Sequence, residues 1–261
     1  MKKSHYMWEL EQLASSQWGM FTAAQAHVLG VGRTQLSRML ANGTTELMRR
    51  GVYRFTVGEE TSHAYVKAAW LSIYPKATAA ERMRNRPLDA VAAGVTAAAL
   101  HGIGDFHEEP YTFIVQRRRQ TSMDDLVFHQ RKLDERDVTF VDTIPTTTME
   151  RTVADLVREW HDPEHLRRAT EDAIGKGANA SRLRELLGRL GPSHASVAGQ
   201  LAEYADLSVL RRASDIVRFI CEQDNRALSD LDPDTIARGE AFVEALLADY
   251  ARRSFDSHSP E

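Results

Sequence analysis

The sequence predicts an α+β fold in which a small basic unit leads, a mixed α/β region follows and helices close the chain. Three observations predict it. Residues 18–54 run helix, glycine turn, helix, hairpin. Three β-prone runs, Tyr111–Val115, Leu126–His129 and Val138–Val141, sit between polar stretches in the middle. From Met149 onward the apolar residues recur at helical rather than strand spacing. The expected division is 1–58, 59–192 and 193–261.

The leading unit begins with a helix over Trp8–Ala14, with Trp8 and Leu10 or Leu13 facing inward. Thr22 is a good N-cap for the next helix, Thr22–Leu29, because its hydroxyl can accept from an unpaired helical N–H. Gly30 can take the left-handed conformation that ends a helix, and Gly32 is an acceptable N-cap for the helix after it. In that helix Leu36, Met39 and Leu40 form a narrow apolar stripe. Thr34, Gln35, Ser37, Arg38 and Ala41 fall mostly on the other side. Asn42-Gly43 ends it, and Leu47–Phe55 reads as a hairpin with Gly51 at the turn or at a bulge.

This order of parts is that of a winged helix-turn-helix, which places base-reading side chains on one helix and phosphate-holding arginines beside it. Arg pairs with guanine, Gln with adenine, and Thr with hydroxyl or methyl partners. The expected DNA contacts are therefore Arg33, Thr34, Gln35, Ser37 and Arg38 on the helix, and Arg49, Arg50 and Tyr53 on the wing. The alternative is a helical hairpin that serves only packing. Charge favours the first: residues 1–58 hold seven Lys or Arg against three Glu, a net +4, while the whole chain is −4, leaving −8 for the rest. A basic head on an acidic body is the asymmetry expected when one end meets nucleic acid.

The body reads as follows. Val57–Ser62 is a polar linker, Thr61–Tyr74 a helix stopped by Pro75, Thr78–Arg86 charged and expected to be mobile, and Leu88–Leu100 a small-residue helix broken by His101–Asp105. After the three strands, Pro145 ends the third and Thr146-Thr147-Thr148 cap a helix over Met149–Trp160. Helices are expected at His165–Ile174, Ser181–Leu190, Val197–Leu207, Val209–Glu222 and Pro233–Arg253, with a polar tail at Ser254–Glu261.

Composition excludes several classes. A single cysteine, Cys221, rules out a disulfide framework or a cysteine zinc site. The start MKKSHYMWELEQ lacks the apolar core of a signal peptide, and no apolar run approaches the roughly 20 residues of a membrane span. A cytoplasmic location is expected, with no membrane partner. No cofactor, metal or catalytic residue is assigned. His161 and His165 have a helical spacing, but Pro163 between them reads better as the first turn of a helix capped by Asp162. His101 and His107 flank a polar loop. Asp105, Glu108 and Glu109 faintly suggest a metal-dependent nuclease but lack a supporting lysine on an adjacent strand. Arg117-Arg118-Arg119 is either a solvated turn or a secondary contact to nucleic acid or an acidic partner. Asp134–Asp137 reads as a solvated loop.

Three stretches resemble the AbiEi family of antitoxins. They are Gly19–Ala26 with Gly30–Leu36 and Leu47–Arg54, then Val95–Asp105 with Tyr111–Val115, and Asp142–Leu156. The resemblance spans about residues 8–175. It implies a bacterial two-gene toxin–antitoxin operon whose antitoxin binds inverted repeats in its own promoter and represses it. It also implies a body that counters a nucleotidyltransferase-like toxin. Gly32 stands where Ser is more usual, weakening that cap by a few tenths of a kcal/mol. Two other readings remain open: a stand-alone transcriptional regulator whose body binds a ligand or mediates dimerisation, and an enzyme with a DNA-targeting head.

Overall fold

The computed structural model describes residues 2–57, 61–159 and 162–208. The helices expected at 209–222 and 233–253, the tail, Cys221, His161 and part of the linker lie outside them. Described residues up to Ser208 belong to one compact unit.

The head comprises helix α1 (Lys2–Ser15), strand β1 (Met20–Thr22), helices α2 (Ala23–Val28) and α3 (Arg33–Ala41), and the hairpin β2 (Thr45–Arg49) and β3 (Val52–Phe55). Thr22 caps α2 in a reciprocal box: its hydroxyl accepts from Gln25 N (3.1 Å) and Gln25 Oε1 accepts from Thr22 N (2.9 Å). Gly30 (φ +84°) makes the left-handed turn into α3, and Gly32 caps α3 without a side-chain bond. The strands form an antiparallel sheet in the order β1-β3-β2. β1 was not foreseen. It has three residues, and its partner, β3, lies some thirty positions further along the chain. Leu10, Phe21, Ala26, Leu36 and Met39 fill the head's own core, with Tyr53 and Phe55 against it. Trp8, expected inside, is 57% exposed, while Leu10 is buried.

The body adds α4 (Ala64–Ile73), α5 (Ala79–Arg84), β4 (Ala90–Ala92), α6 (Gly94–His101), β5 (Tyr111–Val115), β6 (Leu126–His129), β7 (Val138–Val141) and β8 (Ile144–Thr147). Helices α7 (Met149–Glu159), α8 (Pro163–Gly175) and α9 (Ala180–Gly188) follow, then a helix over 195–208. The five strands run in the order β6-β5-β4-β8-β7, parallel at β5/β6 and β4/β8 and antiparallel at β4/β5 and β7/β8.

Four expectations are corrected. Residues 88–100 are not one helix: Ala90–Ala92 form a central strand, buried on both faces, so no polar alternation marks them. Pro145 does not end the third strand. It is the second residue of β8, near the strand start where a missing N–H is tolerated. Of the three threonines, Thr146 and Thr147 are strand residues and only Thr148 meets the helix, its hydroxyl accepting from Arg151 N. Within 78–86, expected to be mobile, residues 79–84 form helix α5, with Thr78 and Glu81 in a capping box.

The body has two cores, one on the sheet and one among the helices. One joins Trp70, Leu71 and Ile73 of α4 to Phe113, Val115 and Ile144, and takes in Met20 and Val52 from the head. The other packs α6 through α9 around Val153, Leu156, Leu166 and Leu183. The head therefore shares a core with the body. Hydrogen bonds add to this seam: Gln25 Nε2 donates to Ala77 O (2.9 Å), Ala79 N to Gln17 Oε1 (3.2 Å) and Trp18 Nε1 to Thr143 Oγ1 (2.7 Å).

Candidate nucleic-acid interface

Helix α3 buries Leu36 and Met39 and turns the opposite face outward. Arg33, Thr34, Ser37, Arg38 and Ala41 are exposed on it. These positions are spaced i, i+1, i+4, i+5 and i+8, one stripe of a 3.6-residue helix. Neither Arg33 nor Arg38 makes an ion pair among the described residues, so both guanidiniums keep their donors for an outside acceptor. Arg50 sits exposed at the hairpin tip beside Gly51 (φ +81°). Gly51 takes the left-handed conformation that closes the turn.

The other three expected contacts are placed differently. Gln35 is half-buried, its amide against Met7 Sδ of α1 at 3.8 Å. Tyr53 stacks on Phe21 (5.6 Å, 15°) within the head's core. Arg49 points into the body: its side chain is 8% exposed and its Nη2 donates to both Asp125 oxygens at 3.0 and 3.1 Å. A register shift between Leu47 and Arg49 explains the reversal. A bulge gives β2 an extra residue, so Met48 and Arg49 both turn toward the body while Leu47 stays outside at 53% exposure. The Arg49 guanidinium also lies 5.6 Å from the Tyr111 ring. Burial, then the hydrogen bond to Glu109, pushes the Tyr111 phenol far above its ordinary value, so it stays neutral there. Arg54 is held in the sheet by its cross-strand partner Glu46 (2.6 Å).

In the body, Arg117, Arg118 and Arg119 are exposed on the β5–β6 loop, with Arg119 over the Tyr74 ring at 4.6 Å. The carboxylates of the nuclease reading have separate local settings. Glu108 faces His63 Nδ1 (2.6 Å), Glu109 accepts from Tyr111, and Asp105 is exposed. Asp162 caps α8, accepting from Glu164 N and His165 N, with Pro163 in the first turn. Asp137, expected in a solvated loop, is 2% exposed and anchors Arg151 and Arg182. Sequence alone gave no sign of this buried network, because its members come from a 3₁₀ turn, α7 and α9.

Residues 9–56, which span α1 through the wing, match the family described as "Transcriptional regulator, AbiEi antitoxin". The resemblance seen in the sequence thus holds over that segment, and the rest of the chain lies outside the match. Among solved structures, the chain is similar to the RV2827C protein from Mycobacterium tuberculosis, with a TM-score of 0.49 and 16% identity over 77% of this chain and 78% of that one. No curated protein matches the sequence. No helix among the described residues is long and apolar enough to cross a membrane.

Proposed function

We propose that this chain is a transcriptional regulator that binds duplex DNA through its head and serves as the antitoxin of its own operon. The observation that carries the reading is the outer face of α3. Arg33, Thr34, Ser37 and Arg38 stand exposed in one stripe over a buried Leu36–Met39 underside, and Arg50 projects from the adjacent hairpin. The stripe enters the major groove and reads base edges; Arg50 holds phosphate. In this reading Gln35, Arg49 and Tyr53 fix the head rather than touch DNA, which their half-buried or inward placement supports. The match of residues 9–56 to antitoxin transcriptional regulators supports the same role.

The antitoxin half rests on resemblance. In this reading residues 59–192 counter a nucleotidyltransferase-like toxin encoded beside this chain, and the winged head of residues 1–58 represses the shared promoter in the cytoplasm. Two measurements test it. A reporter driven by the upstream region should be repressed by the full chain and released by Arg38→Ala. Co-expression with the neighbouring gene product should relieve its toxicity. A reporter unaffected by the chain would sink the regulator half; unrelieved toxicity would sink the antitoxin half alone.

A further inference from the structure

Two cavities in the body share Arg131 and Lys132 as lining residues. The larger, about 740 Å³, has an apolar floor. Val91 and Ile114, register partners on β4 and β5, form it together with Val138 and Phe140 of β7. Arg86, Gln116, Gln130, Asp134 and Glu135 also line it, with Gln116 Nε2 donating to Leu88 O and Gln130 Nε2 to Gln116 O. The smaller, about 280 Å³, lies against α7 and the end of α9. It is lined by Arg131, Lys132, Arg151, Arg158 and Arg189, with Asp155 as the one carboxylate among its described lining residues.

These cations are unequally engaged. Arg131 is held by Asp155 (3.2 Å) and Glu159, and Arg151 by Asp155 (2.9 Å) and Asp137 (3.1 Å). Arg158 reaches Asp155 only at 3.8 Å and its side chain is 41% exposed. Arg189 pairs with Glu185 at the surface. The Lys132 ammonium has no acidic partner among the described residues and is exposed. Asp155 sits within 4 Å of three guanidiniums, but Glu159 and Asp137 also neutralise Arg131 and Arg151, so Arg158 and Lys132 are the weakly engaged cations. An anion with several oxygens would satisfy the donors that face the opening, as phosphates do beside arginine clusters. A cavity of this size with an apolar floor and polar side chains around it suits a small molecule.

We propose that these two neighbouring cavities together bind a nucleoside polyphosphate. Its phosphates lie among Lys132, Arg158 and Arg189, and its base lies on the Val91–Ile114–Phe140 floor. The inference concerns the body alone and does not depend on the DNA reading.

The test uses the full chain and the fluorescent nucleotide mant-ATP, without DNA. Saturable one-to-one binding is expected. ATP should compete, and adenosine and tripolyphosphate, each able to fill one cavity, should compete at least about ten-fold less well. The variant Lys132→Glu/Arg158→Glu should lose about ten-fold or more in affinity. Lys132→Gln/Arg158→Gln should lose less and guards against misfolding, which a thermal melt monitors. Arg117→Glu/Arg118→Glu changes equal charge elsewhere and should leave binding intact. Absence of saturable binding would overturn the proposal. So would retained affinity in both Lys132/Arg158 variants, equal loss in the Arg117/Arg118 control, or tripolyphosphate competing as well as ATP.

Discussion

The two arginines at the end of the wing's first strand are neighbours in sequence and should behave oppositely. Arg49→Ala removes a buried guanidinium from Asp125 and Tyr111. A charge-assisted hydrogen bond contributes about 1.5–3 kcal/mol, and the buried methylenes lost beyond Cβ contribute about 0.8 kcal/mol each. Two terms work against this. Arg49 Nε and Nη1 are buried without a partner among the described residues, so the side chain is itself incompletely satisfied. Asp125 is 42% exposed and regains water when its partner leaves, so it is not stranded as a deeply buried charge would be. The balance is a loss of about 2 kcal/mol, or roughly 4–8 °C in Tm for a unit of this size. Arg50→Ala, at the exposed tip, should change stability by under about 0.5 kcal/mol. It should instead flatten the dependence of log K for DNA on log salt by about 0.9. Urea denaturation and salt-titrated DNA binding on both variants measure the four quantities. If Arg49→Ala left stability untouched and flattened the salt dependence as Arg50→Ala does, Arg49 would be a phosphate contact and the inward placement would be wrong.

Further expectations follow from the same structure. Arg38→Ala should cost about 1–3 kcal/mol on a specific duplex and relax preference at one base position; equal loss on specific and random DNA would remove α3 as the reading helix. Leu36→Ala empties a site that is 4% exposed and should destabilise by roughly 2–5 kcal/mol in urea denaturation. His101 donates its Nε2–H to Thr147 O (2.7 Å), and burial holds its pKa below the ordinary 6.5 against the pull of that bond and of Glu150. The unfolded chain then binds the extra proton, so stability should fall as pH drops from about 7 to 5. His101→Gln should flatten that slope in melts across the range. Glu159 is buried, which raises its pKa, but His129 and Arg131 outweigh burial and the net shift is downward from 4.5. Its contribution is present above that value and lost on acidification below it, so Glu159→Gln should reduce the acid sensitivity of unfolding below about pH 4.5.

The parts of the fold legible in the sequence are those with local signals. Thr22, Gly30 and Gly51 each mark a cap or turn by residue type alone, and the periodic stripe Leu36–Met39 separates the inner from the outer face of α3. Strands β5, β6 and β7 carry β-branched and aromatic residues and stand where expected. What escaped depends on distant partners. Ala90–Ala92 looks helical until β5 and β8 flank it. Arg82 breaks the amphipathic pattern of α5 because it turns inward, its guanidinium 3.4 Å from the Trp70 ring and bonded to Asp89. At the candidate interface, chemistry named Arg49 and Arg50 equally. Only the bulge at Leu47–Arg49 separates them, and a bulge leaves no mark in residue types.

The most direct test of the central claim is a salt-titrated binding measurement of the full chain on its own upstream region, with random duplex as the reference. The account predicts sequence-selective binding that weakens steeply with salt, and an Arg33→Ala/Arg38→Ala variant that binds both duplexes alike while melting as the parent does. Weak binding with no preference for the upstream region, or selectivity that survives the double substitution, would contradict it.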